Sequence, residues 1–274
     1  MTNDINKQFF NAVGRHFVTL SCVQTIPESS TEKPLLFSGF MVDIRGVWFY
    51  ITAGHILRDI RASLASGGKF DIWRLGDQTA GNLFNDTAIP FDFDIDRWIV
   101  IEDEEEGLDY AALALNELYC RCLHAGGVTP INNEGWGNHL TEYDQWILVG
   151  VPSESVTYDE KSIITARPTM LPIIPCEEPK AAGKRASNQF YGRIKQDSLS
   201  EKIDIDGMSG GPIFGVMRCD QKLRYKVIGV QSSWYPLSRV IAACPFSSLA
   251  HALEKLVVSV RSDEGNLSQA PPLN

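Results

Sequence analysis

The chain predicts an all-β protein of two lobes with a helix at either end. Short runs of apolar, β-branched and aromatic residues recur along it, parted by turns that carry Gly, Pro, Asn and Asp. A stretch rich in Gly and Asn, residues 124–140, divides these runs into two series of similar strand count.

Taken in order, Ile5, Phe9, Phe10 and Val13 fall near helical spacing after a capping Asp4, so residues 1–14 form an amphipathic helix that packs through Phe9 and Val13. Residues 16–23 turn to a β pattern that Pro27 ends. Residues 35–42 and 47–52 make a hairpin around Asp43-Ile44-Arg45-Gly46, whose Asp and Gly suit a turn. A short helical stretch follows at 56–64. Further strands are expected at 70–73, 87–93, 98–101 and 108–115, which completes a first lobe over 15–125. The second lobe, 126–245, opens on the strand 146–151. It continues through 162–169 and 189–194, with a polar loop at 176–188, to a hairpin of 213–217 and 225–231. Pro245 and Ser247 precede Leu249, Leu253, Leu256 and Val257, the apolar stripe of a closing helix at 246–261. Residues 262–274, polar and proline-bearing, read as a disordered tail.

Composition removes several classes of function. Of 274 residues, 44% are hydrophobic and 22% charged, enough for a sizeable core. The net charge of −9 and the acidic run Asp103-Glu104-Glu105-Glu106 offer no footprint for a nucleic-acid backbone. The first twenty residues lack the apolar core of a signal peptide, and no run reaches the length of a bilayer span. A cytoplasmic protein without a membrane partner is therefore expected. Its six cysteines include no C-x-x-C pair and read as buried thiols, and Cys120, Cys122 and His124 lack a second ligand pair for zinc. Neither a metal nor another cofactor is expected.

Function concentrates in Gly207-Met208-Ser209-Gly210-Gly211-Pro212. Glycine lets a backbone take φ > 0 or approach another group closely, which leaves Ser209 on a tight turn among amides able to face an anion. At ordinary residue frequencies the pattern G-x-S-G-G-P arises by chance in roughly one in a few thousand chains of this length. A serine hydroxyl needs a base within reach, and the base needs an orienting group. Two candidates stand out. His55 ends the apolar run Tyr50-Ile51-Thr52-Ala53-Gly54-His55, and Asp109 begins Leu108-Asp109-Tyr110-Ala111-Ala112-Leu113, where a lone carboxylate is costly to bury without a partner. Asp59, Asp94 and Asp96 are rival acids, and His16, His124, His139 and His251 lack comparable context.

These three segments, in the order His, Asp, Ser, resemble the signature segments of trypsin-like serine peptidases. The resemblance implies two packed six-stranded antiparallel β-barrels with the site in the cleft between them. It implies Ser209 as nucleophile, His55 as general base and then acid, and Asp109 as the group that fixes the imidazole tautomer. The amides of Gly207 and Ser209 would form the oxyanion hole. The segment from Val227 to Trp234 resembles the strand that pairs with substrate, which makes Ser232, Ser233 and Trp234 a pocket wall. The base of the specificity pocket falls near Ile203 or Asp204, the first favouring an apolar or small P1 side chain and the second Arg or Lys.

Departures from the family pattern sharpen the reading. Extracellular digestive members carry an aspartate before the serine to receive a freed N-terminal amine; here the residue is Met208. Activation by N-terminal cleavage is accordingly not expected, and the chain is closer in style to the bacterial HtrA-like branch, without that group's PDZ domains. The expected function is a serine endopeptidase acting on a protein or peptide substrate, restrained by a selective pocket or by an activating partner protein. Two alternatives remain open: a catalytically silent double barrel that binds a peptide strand, and an esterase-type acyl hydrolase using the same residues.

Overall fold

A computed structural model describes residues 3–26, 31–76, 88–158, 164–180, 188–195, 205–219 and 222–267. The chain runs α1 (Asn3–Gly14), β1 (Phe17–Ile26), β2 (Thr31–Ile44), β3 (Val47–Thr52), α2 (Gly54–Ala65), β4 (Lys69–Leu75), β5 (Ile89–Pro90), β6 (Ile99–Asp103), β7 (Leu108–Ala114) and α3 (Glu117–Ala125). It continues with β8 (Gln145–Gly150), β9 (Thr157–Tyr158), β10 (Ile164–Thr165), β11 (Thr169–Cys176), β12 (Phe190–Ile194), β13 (Pro212–Cys219), β14 (Lys222–Tyr235), β15 (Val240–Pro245) and α4 (Phe246–Leu267).

The fold is all-β in two lobes. In the first, an antiparallel sheet has the order β5-β4-β1-β2-β3-β7-β6. It numbers seven strands because the two-residue β5 joins its edge at Arg74 and Leu75. In the second, β11-β12-β15-β14-β13-β8 close a six-stranded barrel, and closure leaves no edge to template aggregation. The β2–β3 hairpin turns on Arg45 and Gly46, both at positive φ, with the Gly46 N–H donating to Asp43 Oδ1 at 2.6 Å. Such a two-residue turn matches the right-handed twist of the flanking strands.

One core cluster spans both lobes. Phe9 and Val13 of α1, Phe40 and Phe49 of the first sheet, Phe214 and Val227 of the barrel, and Phe246 of α4 all belong to it. The terminal helices thus hold the lobes together as well as closing them. Hydrogen bonds across the seam repeat this: Tyr110 Oη donates to Pro245 O at 2.8 Å, and buried His16 joins Thr129 O to Tyr225 Oη. Burial lowers the His16 pKa to about 4, with the Thr129 contact opposing, so the ring is neutral and acts as a structural bridge.

Some elements differ from the sequence reading. α4 carries on to Leu267, where a disordered tail was expected from residue 262, because extending an existing helix is cheap once nucleation is done. Ser262 Oγ donates back to Val258 O within it; residues 268–274 lie outside the described residues. α3 was not foreseen. Its nucleus is the Asn116 side chain, which accepts from Tyr119 N. β11 contains Pro172 and Pro175 yet pairs with β8 and β12 on its two sides. The expected strand at 87–93 is reduced among the described residues to Ile89–Pro90.

Candidate active site

His55 is the second residue of α2, directly after β3, and the helix has no side-chain cap at Ala53. Asp109 supplies one from the neighbouring strand β7. Its Oδ1 accepts from the His55 backbone N–H at 2.8 Å while its Oδ2 accepts from His55 Nδ1 at 2.7 Å. A carboxylate at a helix N-terminus satisfies an orphan amide and meets the positive end of the helix dipole. This approach depends on Gly54, because a Cβ there would stand 2.6 Å from Glu102 Cγ and 3.1 Å from Asp109 Oδ1.

A third donor comes from the other lobe. Ser232 Oγ donates to Asp109 Oδ2 at 2.5 Å. Asp109 is 8% exposed, and burial alone would raise its pKa. The bonds from His55 and Ser232 outweigh burial and hold the carboxyl below its ordinary value. For His55, burial opposes the charged ring, but the Asp109 carboxylate raises its pKa above the ordinary value. Since Nδ1 donates to Asp109, Nε2 is the ring nitrogen left to accept a proton from elsewhere in the neutral form.

Ser209 lies on the loop that leads into β13. Three consecutive peptides around it are clamped by their carbonyls. Asp206 O accepts from Ser153 N–H at 2.7 Å, Gly207 O from Ser38 Oγ at 3.1 Å, and Met208 O from Gly211 N–H at 2.9 Å. In a trans peptide the N–H points away from the carbonyl, so these clamps fix the directions of the Gly207, Met208 and Ser209 amides. Met208 N–H goes to Ile205 O, whereas those of Gly207 and Ser209 have no hydrogen-bond partner among the described residues. Two unclaimed amides beside a hydroxyl can receive a developing oxyanion.

The glycines of this loop are required by space. Gly207 has φ +87° and Gly210 φ +83°; a Cβ at Gly210 would lie 2.0 Å from Thr52 Oγ1 and 2.5 Å from Ser38 O. Met208 is fully buried, in the barrel core beside Ile205 and Ile213, and packs where Gly150 leaves room for it. An apolar anchor thus holds the loop from below.

His55, Ser209 and Gly207 line one cleft of about 540 Å³, together with Leu35, Phe37, Phe70 and Val156. A second hollow of about 480 Å³ adjoins His55 and Asp109, and its wall includes Ser233, Trp234, Glu102, Asp103 and Glu104. Ser209 Oγ itself donates to Ser232 O at 3.3 Å, and no hydrogen bond joins it to His55 among the described residues. Ser232, which the sequence reading made a pocket wall, has its hydroxyl on Asp109 and its carbonyl on Ser209. Ile203 and Asp204 lie outside the described residues, as do 181–187 of the polar loop.

Of the rival acids, Asp59 lines the same cleft as His55 and its charge favours the protonated ring, but no hydrogen bond joins it to His55 among the described residues. The Asp59 side chain is 71% exposed on α2, and Asp94 caps a short 3₁₀ turn through the Asp96 amide. No cluster of three or more His, Cys, Asp or Glu side chains among the described residues is placed to hold a metal ion. Nor is any helix among them long and apolar enough to cross a membrane. Ser38 and Ser153 were missed by sequence reasoning, because a serine in a strand or a loop carries no local signal of what it will meet across a lobe boundary.

No protein-family model matches the chain, and no curated protein matches it by sequence. Solved structures do resemble it. A scabies mite inactivated protease paralogue, S-I1, superposes with a TM-score of 0.52 at 13% identity, over 89% of this chain and 95% of that one. A thermostable serine protease, AL20, from an extremophilic microorganism gives a TM-score of 0.46 at 14% identity, over 86% and 93%. At such identities the first likeness speaks for the fold alone, and the fold of this chain is that of the chymotrypsin-like serine proteases.

Proposed function

We propose that the protein is an intracellular serine endopeptidase that hydrolyses peptide bonds through an acyl-enzyme at Ser209. The observation that carries this reading is the conjunction of Ser209 and His55 in one cleft, with Asp109 bonded to the far side of the ring and two amides beside Ser209 that have no partner among the described residues. In the proposed reaction Ser209 Oγ turns from Ser232 O toward His55 Nε2 and attacks the scissile carbonyl as His55 takes its proton. The carbonyl oxygen, now negative, is received by the Gly207 and Ser209 amides. His55 then returns the proton to the departing amine, and water repeats the sequence to release the acid. Asp109 keeps the ring in the tautomer with Nε2 open and stabilises the imidazolium.

β14 supports a mode of substrate binding. β13 pairs with it only as far as Val230, so residues 233–235 have β15 on one side and, among the described residues, no strand on the other. A peptide can add as a strand to that open edge. The HtrA-like kinship remains part of this reading, on Met208 in place of an activation aspartate.

The test is covalent labelling by a fluorophosphonate, wild type against Ser209→Ala. Stoichiometric labelling of the wild type and none of the variant is expected, with burst kinetics on a peptide ester. Failure to label wild type alongside a labelled control peptidase would overturn the reading. The Ser209–Ser232 hydrogen bond favours a second one, a double barrel that holds a peptide without cleaving it. Peptide binding that Ser209→Ala leaves unchanged, with no labelling, would select it. Restraint by an activating partner fits the same resting hydroxyl, and labelling that appears only on addition of cell extract would reveal it.

A further inference from the structure

We propose that Ser38 is a positioning residue through which the first lobe sets the direction of the amide-bearing loop of the second. The inference rests on the peptidase reading for its kinetic consequence but not for its structural one. Ser38 is fully buried on β2. Its hydroxyl accepts from Val151 N–H at 2.9 Å and donates to Gly207 O at 3.1 Å, so a single oxygen spans two backbone groups of the other lobe. Its own carbonyl accepts from Thr52 Oγ1 at 2.8 Å, and both of these atoms would collide with a Cβ at Gly210. Thr52 in turn lies on β3, three residues before His55. The strand end that delivers the base is therefore tied to the loop that carries the nucleophile.

The clamps around Ser209 show why Ser38 differs from the others. Ser153 and Gly211 hold their carbonyls through backbone amides of the second lobe, which no side-chain substitution removes. Ser38 alone among the three does so with a side chain and from the first lobe. Gly207 sits between the peptide held by Ser153 and the peptide held by Ser38. With φ at +87° and no side chain, it is the residue about which that second peptide can turn once its carbonyl is released. Loss of the Ser38 hydroxyl also strands the buried Val151 N–H and takes its partner from the half-buried Gly207 O, which can turn with the 207–208 peptide to find another. The 207–208 peptide carries the Met208 N–H, which donates to Ile205 O, so its turning breaks that bond and displaces the two flanking peptides that bear the Gly207 and Ser209 N–H groups.

The experiment compares wild type, Ser38→Ala and Tyr225→Phe. The last removes a seam hydroxyl that contacts His16 and Ala12, far from the loop, and so reports general loosening of the lobes. Two readouts are taken: steady-state kinetics on a peptide ester, and amide hydrogen exchange over residues 205–211. Ser38→Ala is expected to lower kcat roughly 10- to 100-fold, within the range of losing one oxyanion donor, with KM held within about two-fold. It should also speed exchange across 205–211 selectively. Tyr225→Phe should lower the melting temperature while leaving kcat and that exchange in place. Ser38→Cys, a weaker donor of similar size, should fall between wild type and alanine and serves if the alanine variant does not fold. Wild-type kcat and exchange in Ser38→Ala, or changes no larger than those of Tyr225→Phe, would overturn the proposal. Should the wild type show no acylation at all, the peptidase reading falls, and selective exchange at 205–211 alone decides whether Ser38 positions the loop.

Discussion

Ser209 Oγ and the carbonyl of Ser232 are joined at 3.3 Å, and the same Ser232 sends its hydroxyl to Asp109 Oδ2 at 2.5 Å. One residue of the barrel therefore touches both the proposed nucleophile and the proposed orienting acid, which belong to different lobes. Removing the Ser232 hydroxyl leaves Asp109 with fewer donors and more of its negative charge directed at His55. Ser232→Ala is expected to move the acid limb of the ester-hydrolysis pH profile to higher pH; a profile unchanged from wild type would refute this coupling.

The pH profile of the wild type follows from the His55–Asp109 pair. A histidine whose pKa is raised remains protonated, and unable to act as base, to a higher pH than a free imidazole. Activity is expected to rise with pH through an inflection above 6.5, the ordinary imidazole value. The sign for stability is opposite: the His55 contribution is present below its unfolded value and lost as pH rises through the folded one. The Asp109 contribution is present above its unfolded value and lost as pH falls through its lowered folded one. An activity inflection below 6.5 would contradict the assignment of His55 as base.

Asp109→Asn leaves an acceptor for only one of the two His55 N–H groups and sets an amide donor against the other. A loss on the order of 10⁴ in kcat is expected. A loss of less than about tenfold would assign the orienting role elsewhere, first to Asp59, the rival acid that shares the His55 cleft.

Gly210→Ala combines a positive φ with a Cβ that would meet backbone atoms of Ser38 and Ala53 as well as Thr52 Oγ1. The left-handed conformation alone costs about 1–2 kcal/mol for a residue with a Cβ. Thermal unfolding should shift to lower temperature and fluorophosphonate labelling should weaken together. A variant with the wild-type midpoint would show that the loop does not press on the first lobe as described.

The cleft beside Ser209 presents Leu35, Phe37, Phe70 and Val156, away from the open edge of β14. With the acyl part of a substrate along that edge, the departing part occupies this trough, where these apolar side chains stand beside Lys33, Asp59 and Asp206. Partition of an acyl-enzyme between water and amino-acid amides should favour leucine or phenylalanine amide over glycine or aspartate amide. Equal partition would remove the trough from the substrate path.

Much of this protein was legible from local chemistry. The glycine-serine-glycine loop, the histidine after an apolar strand and the aspartate opening another are each read from a few adjacent residues, because turn conformation and strand patterning are local properties. Where local rules conflict with tertiary demand, the reading weakened. Pro172 and Pro175 argue against a strand, yet β11 is one, since closure of the barrel supplies pairing at the other positions. α3 begins at a capping asparagine and spans only nine residues, too short for a helical period to announce it.

By itself the sequence determined the two-lobed all-β class, the absence at Met208 of an acid to receive a freed N-terminus, and which serine, histidine and aspartate were candidates to cooperate; that Met208 is buried came from the structure. Only the tertiary structure decided how they are arranged. The donors to Asp109, the clamps on the Ser209 loop and the tie from Ser38 all cross between residues distant in sequence, several of them between lobes. A hydroxyl's partner depends on which backbone groups packing leaves unsatisfied beside it, and that is settled only when the lobes close.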